Sequence, residues 1–375
     1  MRLAGIAECG DRPVGDEPRA DDSDAMCQLL RNRWANGRPM SDRSERTRSG
    51  PGTDNPGEAS DPTASLGEDV ETLEQVLTGP SPAPLAVCSP PFGGRERVLE
   101  HAADRLGTDL LRLDPGDGAD PLLDALGEGP VVVDGCQHLY ERRIGGFEPV
   151  DAVLQAIEVP AAPVVTGWNE FAWTYLSRVR GVDRTFSARV DVDPTGADEL
   201  AAMILDRYGE MPTFAPDETA PGILEVRRYG VEWRGHDLSV PVPVPSLAAI
   251  RASLTDGDVD PEDVVFERLA AVSDGNVGVA TAIWEGSRRE DIRPSDVVAG
   301  GSDLEFDREE AFCLRILLSK ERVERAELAR TVDGAGRVLG RLLREGVASA
   351  GDGVVRLDPA AVPTAVAESE RRGAR

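Results

Sequence analysis

The stretch from Leu85 to Leu99, LAVCSPPFGGRERVL, decides the fold of this chain. Its first four residues are apolar and predict a buried strand, and a turn rich in Pro and Gly follows at 89–94. A helix is predicted from Arg95 onwards. Because a buried strand that leads through a short loop into a helix is the usual start of a parallel α/β unit, the stretch predicts a parallel sheet covered by helices.

The residues on both sides of this stretch continue the alternation of strands and helices. Apolar runs predict further strands at 108–113, 131–134, 163–167 and 185–192. Amphipathic runs predict helices that begin at Leu66, Arg95, Pro121, Glu148 and Asn169. The predicted fold is therefore α/β, with a three-layer parallel-sheet domain.

Five segments are predicted from composition and periodicity. Residues 1–65 are polar and predicted to be disordered, with Met40 as an alternative start of translation. Residues 66–195 form the α/β domain, and 196–300 form a helical lid with a small β insertion. Three helices and a hairpin around Asp352 predict a winged helix at 301–360, and 361–375 read as a flexible tail.

The charge of the chain is strongly acidic but unevenly spread. The 68 acidic and 41 basic residues give a net charge of −27, and Lys320 is the only lysine. This composition resembles that of halophilic proteins, whose carboxylate-rich surfaces keep them hydrated, so it implies no particular partner. Residues 308–350 are the exception, with nine basic and seven acidic residues, and contact with nucleic acid is one candidate reason for this balance.

Several classes of protein are disfavoured by the sequence. The five cysteines are too widely spaced for a metal knuckle and read as free thiols of a reducing compartment. No apolar run approaches the roughly 20 residues that a membrane helix needs. We therefore expect a cytoplasmic protein without membrane contact.

The turn at 89–94 occupies the frame of the phosphate-binding motif G-x-x-x-x-G-K-[ST]. Ser89 stands at the first glycine and Gly94 at the second, while Arg95 replaces the lysine. The backbone amides of Gly93 and Gly94 could still surround a phosphate. Glu96 replaces the hydroxyl residue that holds magnesium and adds a negative charge.

Two later strand ends carry polar residues that suit a nucleotide site. Asp134 ends an apolar strand, where a magnesium-binding acid is needed, but the following position is Gly135 rather than a catalytic glutamate. Thr166 and Asn169 lie at the end of the next strand, where a polar residue would sense the γ-phosphate. For Asp134, a turn or capping role remains the alternative.

In the order and spacing of these parts, the chain resembles AAA+ and STAND-type P-loop ATPases of halophilic-archaeal type, from about Leu66 to Pro359. The resemblance implies ATP and Mg²⁺ as cofactors, lid closure, and protein partners or self-association. It implies Ser89, Gly93, Gly94, Arg95 and Glu96 as the phosphate loop. It also implies Asp134 as the magnesium ligand and Thr166 or Asn169 as the sensor.

The departures from this family pattern predict altered chemistry. The lysine, the hydroxyl residue and the catalytic glutamate are replaced, and the lid sequence GNVG at 275–278 lacks the sensor arginine. We therefore predict a degenerate, regulatory or scaffolding relative with weak or absent nucleotide binding and without efficient hydrolysis. An active ATPase in which Arg95 replaces the lysine is one alternative.

A second alternative is a DNA-binding regulator. Arg337, Arg341 and Arg344 fall on one face of the third predicted helix of the winged unit, opposite its apolar face. Such a stripe suits a recognition helix in the major groove, but it also suits a solvated face. A weaker hypothesis places Cys136 and His138 on one side of an extended chain as a nucleophile pair.

Overall fold

The computed structural model describes residues 73–74, 77, 83–207, 212–217 and 260–373, and the backbone alone of 224–233 and 236–245. The segment 1–65 lies outside the described residues. Of the helix predicted from Leu66, positions 73, 74 and 77 are described, and they are helical.

A five-stranded parallel sheet forms the centre of the described chain. Its strands are β1 (Pro84–Ser89), β2 (Leu110–Arg112), β3 (Val131–Asp134), β4 (Val164–Asn169) and β5 (Ala188–Asp191). Their order is β2-β3-β4-β1-β5, and every neighbouring pair is parallel. The strand that leads into the predicted phosphate loop therefore lies inside the sheet, with β4 and β5 as its neighbours.

Helices cover both faces of this sheet. They are α1 (Arg95–Leu106), α2 (Asp120–Ala125), α3 (Glu148–Ile157) and α4 (Glu170–Arg180). Successive side chains of β1 enter different cores: Leu85 and Val87 pack with Val98 of α1, whereas Ala86 and Cys88 belong to a second cluster. The fold class predicted from the sequence, a three-layer parallel α/β domain, is confirmed.

A helical region follows the sheet. It contains α5 (Ala197–Arg207), α6 (Pro261–Ser273) and α7 (Val277–Ser287), together with two short parallel strands, β6 (Thr213–Phe214) and β9 (Asp291–Ile292). Between α5 and α6, the backbone of β7 (Leu224–Trp233) pairs antiparallel with β8 (His236–Pro245). The predicted β insertion is thus a hairpin.

The C-terminal unit, residues 308–357, contains three helices and three short strands. Its helices are α8 (Arg308–Lys320), α9 (Arg325–Thr331) and α10 (Ala335–Arg344). Its strands are β10 (Arg322–Glu324), β11 (Ala348–Gly351) and β12 (Val354–Leu357), in the antiparallel order β10-β12-β11. Asp352 and Gly353 form the β11–β12 turn with φ of 54° and 78°, a conformation typical of two-residue hairpin loops.

The segment after residue 361 differs from its prediction. Instead of a flexible tail it forms α11 (Val362–Arg371), with Ala365 and Ser369 fully buried. Its apolar side joins α8 in one core that also includes the helical region. The apolar spacing of Val362, Ala365 and Val366 carries this helix, but its many charged residues conceal that pattern in the sequence.

Candidate functional site

The loop between β1 and α1 is closed by its own hydrogen bonds. The Gly93 amide and the Ser89 hydroxyl each donate to the carbonyl oxygen of Pro90 at 2.9 Å. A Cβ at Gly93 would lie 3.0 Å from the same oxygen. Gly94 begins α1 in the left-handed region at φ 86°, which glycine adopts without strain. The Gly93 amide therefore forms a hydrogen bond within the turn itself.

The start of α7 holds this loop from the other side. The Asn276 side chain donates to the carbonyl oxygen of Pro91 at 2.7 Å, and the Gly278 amide donates to that of Phe92 at 3.2 Å. A Cβ at Gly278 would lie 2.5 Å from the Phe92 oxygen. The segment 275–278, where the resemblance would place a sensor arginine, thus binds the loop through two hydrogen bonds. A glycine at 278 allows its backbone to come this close to Phe92.

Arg95, the first residue of α1, is buried in an ion network. Its Nε lies 2.7 Å from Asp134 Oδ1 and its Nη1 lies 2.8 Å from Glu321 Oε1, with 8% of the side chain exposed. Nη1 is also 3.4 Å from the Ser89 hydroxyl. Burial alone would lower the pKa of Arg95, but the charges of Glu321 and Asp134 outweigh it and raise that pKa above its ordinary value. The guanidinium is therefore charged and fully engaged.

Asp134 faces this arginine. Its Oδ1 accepts from Arg95 Nε and also from the Gly135 amide at 2.7 Å. A Cβ at Gly167 of β4 would lie 2.6 Å from the same oxygen, so the neighbouring strand leaves space for the carboxylate only because it carries glycine there. Oδ1 of Asp134, the residue that the resemblance implies as the magnesium ligand, thus already accepts hydrogen bonds from two protein groups.

Glu321 brings the C-terminal unit into the site. It follows α8 with φ 63°, an uncommon conformation for a residue other than glycine. Asn169 of β4 donates to its Oε1 at 3.1 Å and to the carbonyl oxygen of Leu318 at 2.9 Å. No local sequence pattern predicts Glu321 as part of this site, because it lies 226 positions from Arg95.

Asn169 makes a third hydrogen bond, which explains why an asparagine stands at this position. Its side-chain oxygen accepts from the amide of Phe171 at 2.9 Å and so caps α4. Thr166, the other predicted sensor, is fully buried and joins β4 to β1 by a 3.2 Å bond to the carbonyl oxygen of Leu85. It also accepts from the indole of Trp168 at 2.7 Å.

Glu96 is turned away from the loop. It lies on the exposed side of α1 and pairs with Arg112 of β2. The ionic partner of Glu96 therefore lies on the sheet edge, while the neighbouring Arg95 points inward. The structure brings Ser89, Arg95, Asp134 and Asn169 together but leaves Glu96 outside this group.

The hypothesis of a Cys136–His138 nucleophile pair is wrong. Residues Cys136–His138 form a 3₁₀ turn rather than an extended chain, so their side chains do not alternate as predicted. Burial raises the pKa of the Cys136 thiol, and burial together with the charge of Lys320 lowers the pKa of His138 well below its ordinary value. A neutral buried thiol is a poor nucleophile.

Lys320 contacts Tyr140, in the loop that follows β3, although the two residues are 180 positions apart in the chain. Its ammonium group donates to the carbonyl oxygen of Tyr140, pairs with Glu327 at 2.7 Å, and lies 4.8 Å from the centre of the Tyr140 ring. The residue is 1% exposed. Lys320 therefore fastens the C-terminal unit to the α/β domain and is not available as a substitute phosphate-loop lysine.

The predicted nucleic-acid stripe on α10 is largely engaged within the protein. Arg337 lies 3.0 Å from Asp307, and Arg341 lies 2.6 Å from the buried Glu310. Arg341 also donates to the carbonyl oxygen of Glu305 at 2.7 Å. Arg344, the third member of the stripe, is exposed.

The arrangement does not fit the MgATP site that the sequence resemblance implies. The phosphate-loop cation is neutralised by two carboxylates, and the acid at the end of β3 is one of them. Among the residues that the structure describes, no cluster of three or more His, Cys, Asp or Glu side chains could hold a metal ion. None of the described helices is both long and apolar enough to cross a membrane.

Fold and site together define an α/β protein with a P-loop-like strand–loop–helix unit, in which the site is closed by internal ion pairs. No family model and no curated protein sequence matches the chain. Among solved structures, the chain is similar to the Aeropyrum pernix ORC2 protein, described in ADPNP-ADP complexes. The two share 12% identity over 81% of this chain and 92% of that chain, with a TM-score of 0.33.

Two further solved structures show a similar distant likeness. The Thermotoga maritima RuvB Holliday junction branch migration motor shares 15% identity over 78% of this chain and 91% of that chain, with a TM-score of 0.35. Cdc6p from Pyrobaculum aerophilum shares 12% identity over 84% and 98%, with a TM-score of 0.33. Structural similarity at this level shows nothing about the activity of this chain.

Proposed function

We propose that the chain is an AAA+- or STAND-like regulatory or scaffolding protein whose P-loop-like site does not turn over nucleotide. The observation that supports this proposal is the binding of Arg95 by Asp134 and Glu321 at 2.7 and 2.8 Å. The Arg95 guanidinium and its two carboxylate partners together carry a net negative charge, which does not attract a phosphate. In this role the network links the α/β domain to the C-terminal unit.

Electrostatics disfavour nucleotide entry into the closed site. Phosphate groups that approach Arg95 would meet the negative charges of Asp134 and Glu321 in a poorly hydrated environment, where repulsion is screened less than in water. The loop amide of Gly93 is bound to Pro90, and a side chain at Gly135 would collide with Leu113. Neither the phosphate cradle nor the position of the catalytic glutamate therefore has the family's chemistry.

The two alternatives have less support. An active ATPase with Arg95 as the phosphate-loop cation would require Arg95 to leave both carboxylates. A DNA-binding regulator would require the stripe on α10 to leave Asp307 and Glu310, which bind Arg337 and Arg341. Protein partners or self-association therefore suit the proposal better than DNA.

Titration with a fluorescent ATP analogue and Mg²⁺ tests the proposal. We expect no saturable binding by the wild-type protein up to millimolar ligand, and phosphate release at the level of the buffer blank. Glu321→Gln removes one of the two charges that neutralise Arg95 and is expected to increase any nucleotide affinity. Glu324→Gln is the matched control, because it removes an acid from the adjacent strand without touching Arg95.

Saturable wild-type binding that Asp134→Asn abolishes would contradict the closed site. Turnover of ATP that depends on Arg95 would favour the active ATPase instead. A wild-type protein that binds duplex DNA at physiological salt, and loses this binding when Arg337, Arg341 and Arg344 are all replaced by alanine, would favour the DNA-binding regulator.

A further inference from the structure

Two half-buried arginines, at the contact between α4, α8 and the loop after β3, have no carboxylate partner among the described residues. Arg315 of α8 lies 4.4 Å from the centre of the Phe171 ring, and Arg142 lies 4.2 Å from that of Tyr175. Phe171 and Tyr175 are four positions apart on α4, so they are neighbours on one side of the helix. The two guanidinium groups are thus held on adjacent rings.

These arginines differ from the fully buried cations in the described part of the chain. Arg95 binds Asp134 and Glu321, and Lys320 binds Glu327. By contrast, no ion pair or hydrogen bond to a carboxylate is formed by Arg315 or Arg142 within the described residues, and Arg142 Nε is a buried donor without an acceptor.

The charges around this pair leave a cationic group that lacks a close counter-ion. Burial, together with the neighbouring charge of Arg142, lowers the pKa of Arg315 to about 10. Glu370 and Glu170 act in the opposite direction, but only through space. The Arg315 guanidinium therefore stays charged at neutral pH, and a half-buried charge without a counter-ion is costly.

We propose that Arg142 and Arg315 form a binding site for a tetrahedral oxyanion, with phosphate as its chemical class. Each guanidinium offers a planar fork of donors that matches phosphate oxygens. Stacking on the rings of Tyr175 and Phe171 fixes the two forks before a ligand arrives, which lowers the entropic cost of binding. The site is separate from the Arg95 network and does not rest on the proposed function.

Calorimetric titration with inorganic phosphate, at an ionic strength kept constant with chloride, tests this site. The wild-type protein is expected to bind one phosphate per chain and to gain thermal stability from it. Arg142→Met and Arg315→Met, which keep the apolar stem over each ring, should each weaken binding about tenfold or more, since each removes a charge-assisted hydrogen-bonding group. Arg356→Met, at an exposed arginine of β12, is the matched control and should bind as the wild type does.

Lysine substitutions test the geometry of the fork. Arg142→Lys and Arg315→Lys keep the charge but lose the planar pair of donors, so we expect weaker phosphate binding in a folded protein. Phosphoserine, titrated in parallel, distinguishes a phosphorylated residue from the free ion by which of the two binds more tightly. Absence of saturable binding of either probe by the wild type, or unchanged binding in a folded Arg142→Met/Arg315→Met variant, would overturn the site.

Discussion

Replacement of Arg95 by alanine is expected to lower the free energy of unfolding by about 3–5 kcal/mol, because it leaves two carboxylates buried without their counter-ion. Asp134 and Glu321 have only 18% and 12% of their side chains exposed, so water replaces the guanidinium at these carboxylates only in part. Urea denaturation at pH 7 measures the change. A loss of this size is a large part of the stability of a typical domain, about 5–15 kcal/mol.

Variants that neutralise the acids separate charge from packing. If unpaired charge causes the loss, Arg95→Ala combined with Asp134→Asn and Glu321→Gln should recover much of it, since buried amides cost less than buried carboxylates. Arg105→Ala is the matched control on the same helix. It removes an exposed pair with Glu74 and should change stability little. Equal losses for Arg95→Ala and Arg105→Ala would contradict a structural role for the network.

Arg95→Ala is also expected to loosen some parts of the protein more than others. Glu321 belongs to the C-terminal unit, whereas Arg95 and Asp134 belong to the α/β domain, so the network joins parts of the protein that are distant in sequence. Lys320 and Tyr140 form a second link beside it. We therefore expect faster amide hydrogen exchange in α8 and β10 of the Arg95→Ala variant, with the central strands less affected.

The sheet could be predicted from the sequence because its signals are local. The apolar runs at 85–88, 131–133 and 164–165 are each enclosed by turn residues, and each forms a strand of the parallel sheet. The β insertion was equally predictable, since alternating Val and Pro residues favour an extended hairpin over a central strand. These signals require only near neighbours in the chain.

The partners of the site residues could not be predicted in this way. Asp134 stands at the strand end where a magnesium ligand is expected, yet it binds Arg95, and the second partner comes from Glu321. Both facts depend on how the C-terminal unit packs against the sheet, and no pattern near residue 95 carries that information. The replaced lysine was a local signal that the chemistry had changed, but it did not show which carboxylates the arginine would bind.

The environment of Gly135 gives the second large prediction. Gly135 stands where the family resemblance places a catalytic glutamate, and it adopts φ 88°. A Cβ there would collide with the carbonyl oxygen of Leu113 and lie 3.3 Å from its Cβ. Backbone strain costs about 1–3 kcal/mol, and overpacking typically costs about as much again. Restoration of the acid by Gly135→Glu should therefore destabilise the protein by roughly 2–6 kcal/mol and restore no ATP hydrolysis.

Gly118→Ala supplies the control that separates strain from collision. Gly118 has a similar φ of 72°, but no atom lies within 4 Å of a Cβ built there, so alanine at this position meets strain alone. Gly135→Ala should lose more stability than Gly118→Ala by the cost of the contact with Leu113. Denaturant unfolding and phosphate release, measured on both alanine variants and on Gly135→Glu, test this directly. A stable Gly135→Glu protein that hydrolyses ATP would mean that the turn after β3 can open for a side chain and that the Arg95 network does not exclude nucleotide, which would contradict the closed site.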